Sequence, residues 1–431
     1  MRSTAVLLAT LVVTPALAQA GPDVAVHGQA TVVLQGTPGF RSPYVGPNSL
    51  TPHQIKETVD ATLYIGVRPW QGGELWVDPE VDQGFGLSNT LGVAGFPSAE
   101  AYKVGQKAPY LRMQRVFFRQ TVDLGGDDET VDADANQFAG TQTANRLVLT
   151  IGKFGVGDVF DTNSYAHDPR GDFLNWSIVD AGTFDYAADA WGYSTGVAAE
   201  WYQGAWTLRL GGFNLSTVPN GESLETGFGQ YQVDAEIEHR HQIGGRPGAV
   251  RVTLYRNRGN FGRFDDALAL AAQTGAAPDT ALVRRRMTRL GVSVDIEQAV
   301  TGGVGVFARA GVTNGEIEPY DFSDIDRTAQ LGAAIDGSGW GRHGDTLGIA
   351  AVVNGISKEH ERYLDAGGLG VLVGDGRLPH PGPEAIGEAY YDWKPAPPIA
   401  ITLDYQLVGN PGYNRDRGPA SVFAVRLHGQ F

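Results

Sequence analysis

The chain closes with Ser421 to Phe431, read Ser-Val-Phe-Ala-Val-Arg-Leu-His-Gly-Gln-Phe. Counted back from the terminus, Phe431, Gly429, Leu427, Val425 and Phe423 share one face, and Gln430, His428, Arg426 and Ala424 share the other. A period of two with one apolar and one polar face is a half-buried β-strand. An aromatic at the end of the apolar face is how a transmembrane barrel strand meets its interfacial girdle. If this strand closes a barrel, the rest of the chain has to supply the other staves.

It does. Val24 to Leu34 alternates, with Val24, Val26, Gly28, Ala30, Val32 and Leu34 set against His27, Gln29 and Thr31. Similar runs follow over 59–68, 74–80, 111–123, 145–153, 191–202, 205–213, 230–241 and 249–258. Further runs cover 285–298, 303–313, 327–335, 345–354, 384–393 and 399–409. The pattern predicts an all-β chain: a transmembrane antiparallel β-barrel of about 16 strands, each roughly ten residues long, enough to cross a bilayer at a tilt.

The connections sharpen the reading. Outer-membrane barrels pair short periplasmic turns with long extracellular loops. With the first strand starting in the periplasm, short joins fall at Pro69–Gly73, Gln203–Gly204, Ile243–Gly248, Ala299–Gly302, Asp336–Gly344 and Pro395–Pro398, all on the periplasmic side. Long inserts around 36–57, 82–110, 154–190, 259–284 and 355–383 fall outside. One join breaks the rhythm: Gly125 to Ala144, rich in Asp and Gly, is long yet periplasmic. A soluble sandwich or propeller would explain the alternation but not this rhythm, and no repeat of propeller length is present.

Composition is consistent with export. Residues 1–20 read as a signal peptide: Arg2, an apolar run from Ala5 to Val13, and small residues before a cut after Ala20, with Ala18 as the alternative. That leaves residues 21–431 as one barrel domain. No stretch approaches the 18 apolar residues of a transmembrane helix. There is no Cys, so neither a disulfide scaffold nor a thiol site is possible. A net charge of −15 argues against nucleic acid as a partner. Mean hydropathy of −0.18 is no objection, because only alternate residues of a barrel face lipid.

A barrel of this size has room for an aqueous channel. Alternation turns Arg115 and Arg119 inward, opposite Val116, Phe118 and Val122. Thr207 and Arg209, then Asp234, Glu236, Glu238 and Arg240, then Asp404, Gln406 and Arg426 also face the lumen. Trp76 shares a face with Glu74, Asp78 and Glu80, whereas Trp70 suits the periplasmic girdle. Mixed charges suit a polyhydroxylated solute, whose hydroxyls both donate and accept. The insert after the fifth strand combines Lys153, Asp158, Asp161, Asp168, Arg170 and Asp172 with Phe160, Tyr165 and Trp176. Aromatic faces stack on sugar rings while charged groups hold hydroxyls. Each of these residues has a plainer reading, as solvated wall or as turn-forming Asp.

Several stretches resemble one family, the carbohydrate-selective porins related to OprB of Gram-negative outer membranes. They are Glu388-Ala389-Tyr390-Tyr391, Leu403-Asp404-Tyr405-Gln406, Asn410 to Pro419, and Arg426-Leu427 with Phe431. The run from Gly152 to Asp161 with Asp168-Pro169-Arg170 and Phe173-Leu174-Asn175 is similar to that family's constriction-loop segment, and Gly348–Gly355 with Glu359 and Tyr363 also fits. The likeness is weakest over 125–144 and 259–284. It implies a 16-stranded porin, usually trimeric, whose third extracellular loop folds inward and which passes glucose and related sugars by passive diffusion. A terminal Phe such as Phe431 also resembles the signal read by the barrel-assembly machinery. The expected path residues are Trp76, Glu80, Arg115, Arg119, Lys153, Asp158, Asp161, Asp168, Arg170, Asp404 and Arg426. No cofactor or metal is expected. The other readings are an unselective diffusion porin, or a channel for another polyol or an acidic solute. An enzyme is disfavoured because none of the His residues shows a Ser/His pairing. A TonB-driven transporter is disfavoured because no plug-sized segment precedes the first strand.

Overall fold

The computed structural model describes residues 23–101 and 104–431, and the signal-peptide reading of residues 1–20 lies outside them. Sixteen antiparallel strands close into a barrel in which each strand pairs with its sequence neighbours and the first pairs with the last. They are β1 (Val24–Thr37), β2 (Gln54–Trp70), β3 (Gly73–Gly84), β4 (Gln106–Val131), β5 (Gly140–Phe154), β6 (Ser194–Gln203), β7 (Trp206–Asn214) and β8 (Tyr231–Ile243). There follow β9 (Arg246–Phe261), β10 (Arg285–Thr301), β11 (Val304–Thr313), β12 (Arg327–Asp336), β13 (Thr346–Gly355), β14 (Glu384–Ala396), β15 (Ile399–Gly409) and β16 (Ala420–Gln430). Closure leaves no unpaired strand edge, which is what lipid demands of a β-structure. At the seam Phe431 N–H donates to Gly28 at 2.9 Å, and Gly28 N–H donates back to Phe431 at 3.1 Å.

Every alternating segment of the sequence is a strand, and the faces fall as the pattern requires. Leu403, Leu407, Phe423, Val425 and Leu427 are exposed on the outside, while Asp404, Gln406 and Arg426 are buried inside. Trp70, Trp201, Trp206, Trp340 and Trp393 are exposed around the rim that carries the chain start and the short turns. A ring of Trp at one level is an interfacial belt. Among the described residues no helix is long and apolar enough to cross a membrane, so the crossing is made by strands.

On the inner face, aromatics lie across glycines of the next strand. Tyr390 pairs with Gly348, Phe307 with Gly332 and Trp76 with Gly66. A Cβ at Gly348 would stand 2.1 Å from the Tyr390 ring, so glycine is what lets the ring lie flat on the wall.

The structure differs from the sequence pattern at two places, both informative. The insert 125–144 is not a loop: β4 and β5 run on as a paired hairpin, Val131 opposite Gly140, and only 132–139 turns. The second is a bulge in β4. Asp78 pairs with Arg115 and Pro79 with Met113, leaving Gln114 as the extra residue. Pro79 has no N–H to give to the ladder, which is why the irregularity sits there.

The loops at the other rim pack together and into the barrel. The connection 155–193, with the short helix α1 (Trp176–Val179), descends inside. Two outer helices, α2 (Phe264–Thr274) and α3 (Lys358–Asp365), join a loop core of Phe96, Trp176, Phe322, Tyr363, Leu372 and Tyr413.

Candidate functional site

The bulge in β4 arranges one wall of the lumen. Regular alternation starting from Arg112 would turn 114, 116 and 118 inward; the extra residue resets the phase after Gln114 and brings Arg115, Phe117 and Arg119 inward instead. One strand thus carries three lumen arginines. Arg112 lies over the Trp191 ring, 3.2 Å from its centroid, and pairs with Asp189 at 3.7 Å. Arg115 makes a two-pronged pair with Asp158, 2.7 and 2.8 Å, and stands beside Tyr193. Arg119 pairs with Glu74 at 2.6 Å. Lys153 of β5 meets Asp189 at 2.9 Å.

Opposite this wall stands a turn of the 155–193 connection, Asp168-Pro169-Arg170-Gly171-Asp172. Asp at the first position and Pro at the second suit a tight turn. Asp172 accepts the N–H groups of His167 and Asp168, and Asp168 accepts that of Arg170. Arg426 of β16 donates to the carbonyls of Pro169 (2.6 Å) and Asp172 (2.8 Å), fixing the turn to the wall. The turn presents Arg170 to Asp60 at 3.2 Å, Glu100 at 3.3 Å and Glu80 at 3.4 Å. Burial works against the Arg170 charge, but Glu100 and Asp60 more than offset it and raise its pKa. Burial pushes Glu100 well above the ordinary carboxylate range, against the pull of Arg170. For Asp158, burial acts to raise the pKa, yet Arg115 prevails and the carboxyl is held below its usual value.

Two cavities meet at this turn. One of about 520 Å³ lies in mid-barrel and is bordered by Arg115, Arg119, Asp158, Asp168 and Arg170. Another of about 820 Å³ opens at the short-turn rim beside His27, Lys394, His428 and Phe431. Tyr64, Ala135, Asp168 and Arg170 border both. The guanidinium groups of Arg115 and Arg170 and the carboxylates of Asp158 and Asp168 border the mid-barrel cavity together with Tyr64 and Tyr193.

The remaining predicted residues sit elsewhere. Trp76 faces inward but is fully buried, its ring 5.1 Å from Phe138. Glu80 is likewise buried, bonded to Thr62 and Gln114 and paired with Arg170. Asp161 lies buried within the 155–193 connection, where its carboxylate accepts Ala181 N–H at 2.6 Å. Burial raises its pKa to about 8 despite Arg309 nearby. Asp404 and Arg426 lie under the same connection, with Asp404 accepting from Gln406.

A group of wall residues holds the connection in place, a role that the sequence does not mark. Arg309 of β11 donates to the carbonyls of Ile178, Val179, Asp161 and Ala166 at 2.9–3.1 Å. Glu388 of β14 accepts the N–H groups of Leu174 and Asn175, Glu236 of β8 that of Asp161, and Glu297 of β10 that of Ser164. Much of the mixed charge of the inner face is therefore spent on backbone groups of the loop rather than turned to water. Among the described residues no group of three or more His, Asp or Glu side chains is placed to hold a metal ion.

A family model described as carbohydrate-selective porin, OprB family, matches residues 48–431. The structure is similar to that of Pseudomonas putida OprB at high pH, with TM-score 0.71 and 16% identity over 95% of this chain and 94% of that one. It is also similar to the outer membrane channel DcaP of Acinetobacter baumannii, with TM-score 0.50 and 11% identity over 95% and 97% of the two chains. At these identities the likeness is one of fold. No curated protein matches the chain.

Proposed function

Because this chain belongs to the OprB family of carbohydrate-selective porins, we propose that it passes glucose and related sugars by passive diffusion, through a lumen narrowed by the 155–193 connection. The protein is an outer-membrane β-barrel of a Gram-negative bacterium. The observation that carries the sugar reading is the junction at Arg170. There a guanidinium with five fixed donors stands among Asp60, Glu80 and Glu100, across from the Arg115–Asp158 pair. A solute with hydroxyls on every side can exchange donors and acceptors with such a ring. A bare anion meets carboxylates, and an apolar solute leaves the charges without water.

Arg115, Arg119, Asp158, Asp168 and Arg170 border the path. Trp76, Asp161, Asp404 and Arg426 support it from behind, and Lys153 helps set the charge near its upper end through Asp189. The lumen of one barrel is complete within one chain, so transport does not depend on the trimer that the family likeness suggests; chemical cross-linking in native membranes tests that assembly. Phe431, seated against Gly28 at the seam, is in place to be read by the barrel-assembly machinery, and Phe431→Ala should lower the yield of inserted protein.

Single-channel conductance in a planar bilayer tests the reading, with glucose, other sugars and a non-sugar polyol of similar size as titrants. Saturable block by sugars is expected. Open conductance indifferent to every sugar would leave an unselective porin.

A further inference from the structure

We infer that the periplasmic turn 132–139 forms part of the narrow passage, closing from below an opening that the 155–193 connection closes from above. This rests on the reading of the lumen as the path of the permeant. A turn on this side of an outer-membrane barrel is ordinarily short and lies clear of the lumen. Here β4 and β5 continue beyond the wall, and the pairing slips twice, between Asp123 and Gly125 and between Gly125 and Asp128. Gly125 and Gly126 have φ of +92° and +94°, a conformation costly for any residue with a Cβ, and they bend the hairpin. Residues 124–130 are exposed beyond the bend, and the tip then returns to the barrel.

The tip is anchored at three points. Phe138 is buried between the Trp76 ring at 5.1 Å and the Arg68 guanidinium at 4.3 Å. Asn136 Nδ2 donates to Asp78 at 2.9 Å, and Arg119 donates to the Asn136 carbonyl. Asp134 and Gln137 exchange backbone hydrogen bonds at 3.0 and 3.1 Å, so the tip is itself a small closed turn. Held this way, it stands between cavities. Ala135 borders both the mid-barrel cavity and the 820 Å³ cavity at the rim, alongside Tyr64, Asp168 and Arg170. Gln137 borders both the mid-barrel cavity and a third, of about 610 Å³, on the other side of the turn. A solute leaving the middle of the barrel by either route passes this segment. With Ala135 exposed on the border of the mid-barrel and rim cavities, the tip limits size while Arg170 offers the polar groups.

The absence of Cys makes a direct test available. Ala135→Cys changes little in volume and can be labelled with a bulky neutral thiol reagent in a planar bilayer. Open-channel conductance in salt alone should then fall by about twofold or more, since conductance follows pore width. Asp127→Cys, exposed on the outer part of the hairpin, should show no step when labelled. Full labelling of A135C, verified by mass, with unchanged conductance would overturn the inference. As a second variant, Val131 and Gly140 are pairing partners, so an Asn-Gly turn can replace 132–139. Higher conductance is expected from it, and an unchanged value would count against the inference. Neither readout uses sugar. A wild-type channel that sugars fail to block defeats the sugar reading and leaves this test standing, and a wild-type protein with no conductance defeats both.

Discussion

Replacing Arg170 by Gln removes one positive charge where the two cavities meet. Arg170 forms ion pairs at 3.2, 3.3 and 3.4 Å with Asp60, Glu100 and Glu80. The substitution leaves these carboxylates with no guanidinium between them. For an ion passing at about 5 Å in water-like surroundings, one unit charge is worth about 0.8 kcal/mol. That corresponds to roughly fourfold in local cation concentration and the inverse for anions, so the cation-to-anion permeability ratio should rise by roughly tenfold or more. The assay is the reversal potential across a planar bilayer under a potassium chloride gradient. Arg285→Gln, at an exposed position of β10, is the control and should not shift it. Reversal potentials equal for R170Q and wild type would place Arg170 off the ion path and refute the geometry on which the sugar reading stands. Block by glucose should weaken in the same variant, because its main donor is gone.

Other outcomes follow from the same structure. Leu403, 60% exposed on the outer face, should lose about 2–4 kcal/mol of stability as Leu403→Arg near the bilayer midplane, read in a detergent or lipid refolding titration. Gln406→Arg, on the inner face, should also destabilise, because Gln406 donates to Pro97 at 2.8 Å and accepts from Asn175 at 3.0 Å rather than facing water. Arg309→Ala should cost about 3–5 kcal/mol by stranding Asp295 and four loop carbonyls, and should open the 155–193 connection to protease from outside the cell. The Asp161 carboxyl is raised from 3.8 to about 8, so it binds a proton in the folded barrel that the unfolded chain has released. Its contribution to loop docking is full below about pH 4 and is lost as pH rises through about 8. Protease cleavage of the connection should therefore increase over that window, and Asp161→Asn should flatten the profile.

The strands were legible because lipid and lumen impose opposite demands on neighbouring residues, as Leu403 and Asp404 show. Arg115 and Arg119 could be placed inside from the same alternation. Arg112 could not, because the bulge shifts its phase, although Pro79 within a strand is a signal that such a break is near. The hairpin over 124–145 reads as loop because it has no lipid face and so no alternation in hydrophobicity. Glu388 and Arg309 look like pore wall in the sequence. Their targets are backbone groups of a distant loop, and backbone groups leave no mark in a sequence. Trp76 was placed on the correct face, but no local pattern foretells that Phe138 covers it.

The seat of the 155–193 connection has a consequence for how the barrel is made. The connection lies between β5 and β6, yet the groups that hold it include Arg309 on β11, Glu388 on β14 and Arg426 on β16. Strands added one after another leave that seat unfinished until the last of them is in position. The connection therefore gains its last anchors only when the final strand is in position, although Glu236 on β8 and Glu297 on β10 hold it from earlier strands. Arg426 belongs to the strand that completes the ring, so the final pairing step also supplies the group that fixes the Asp168–Asp172 turn to the wall.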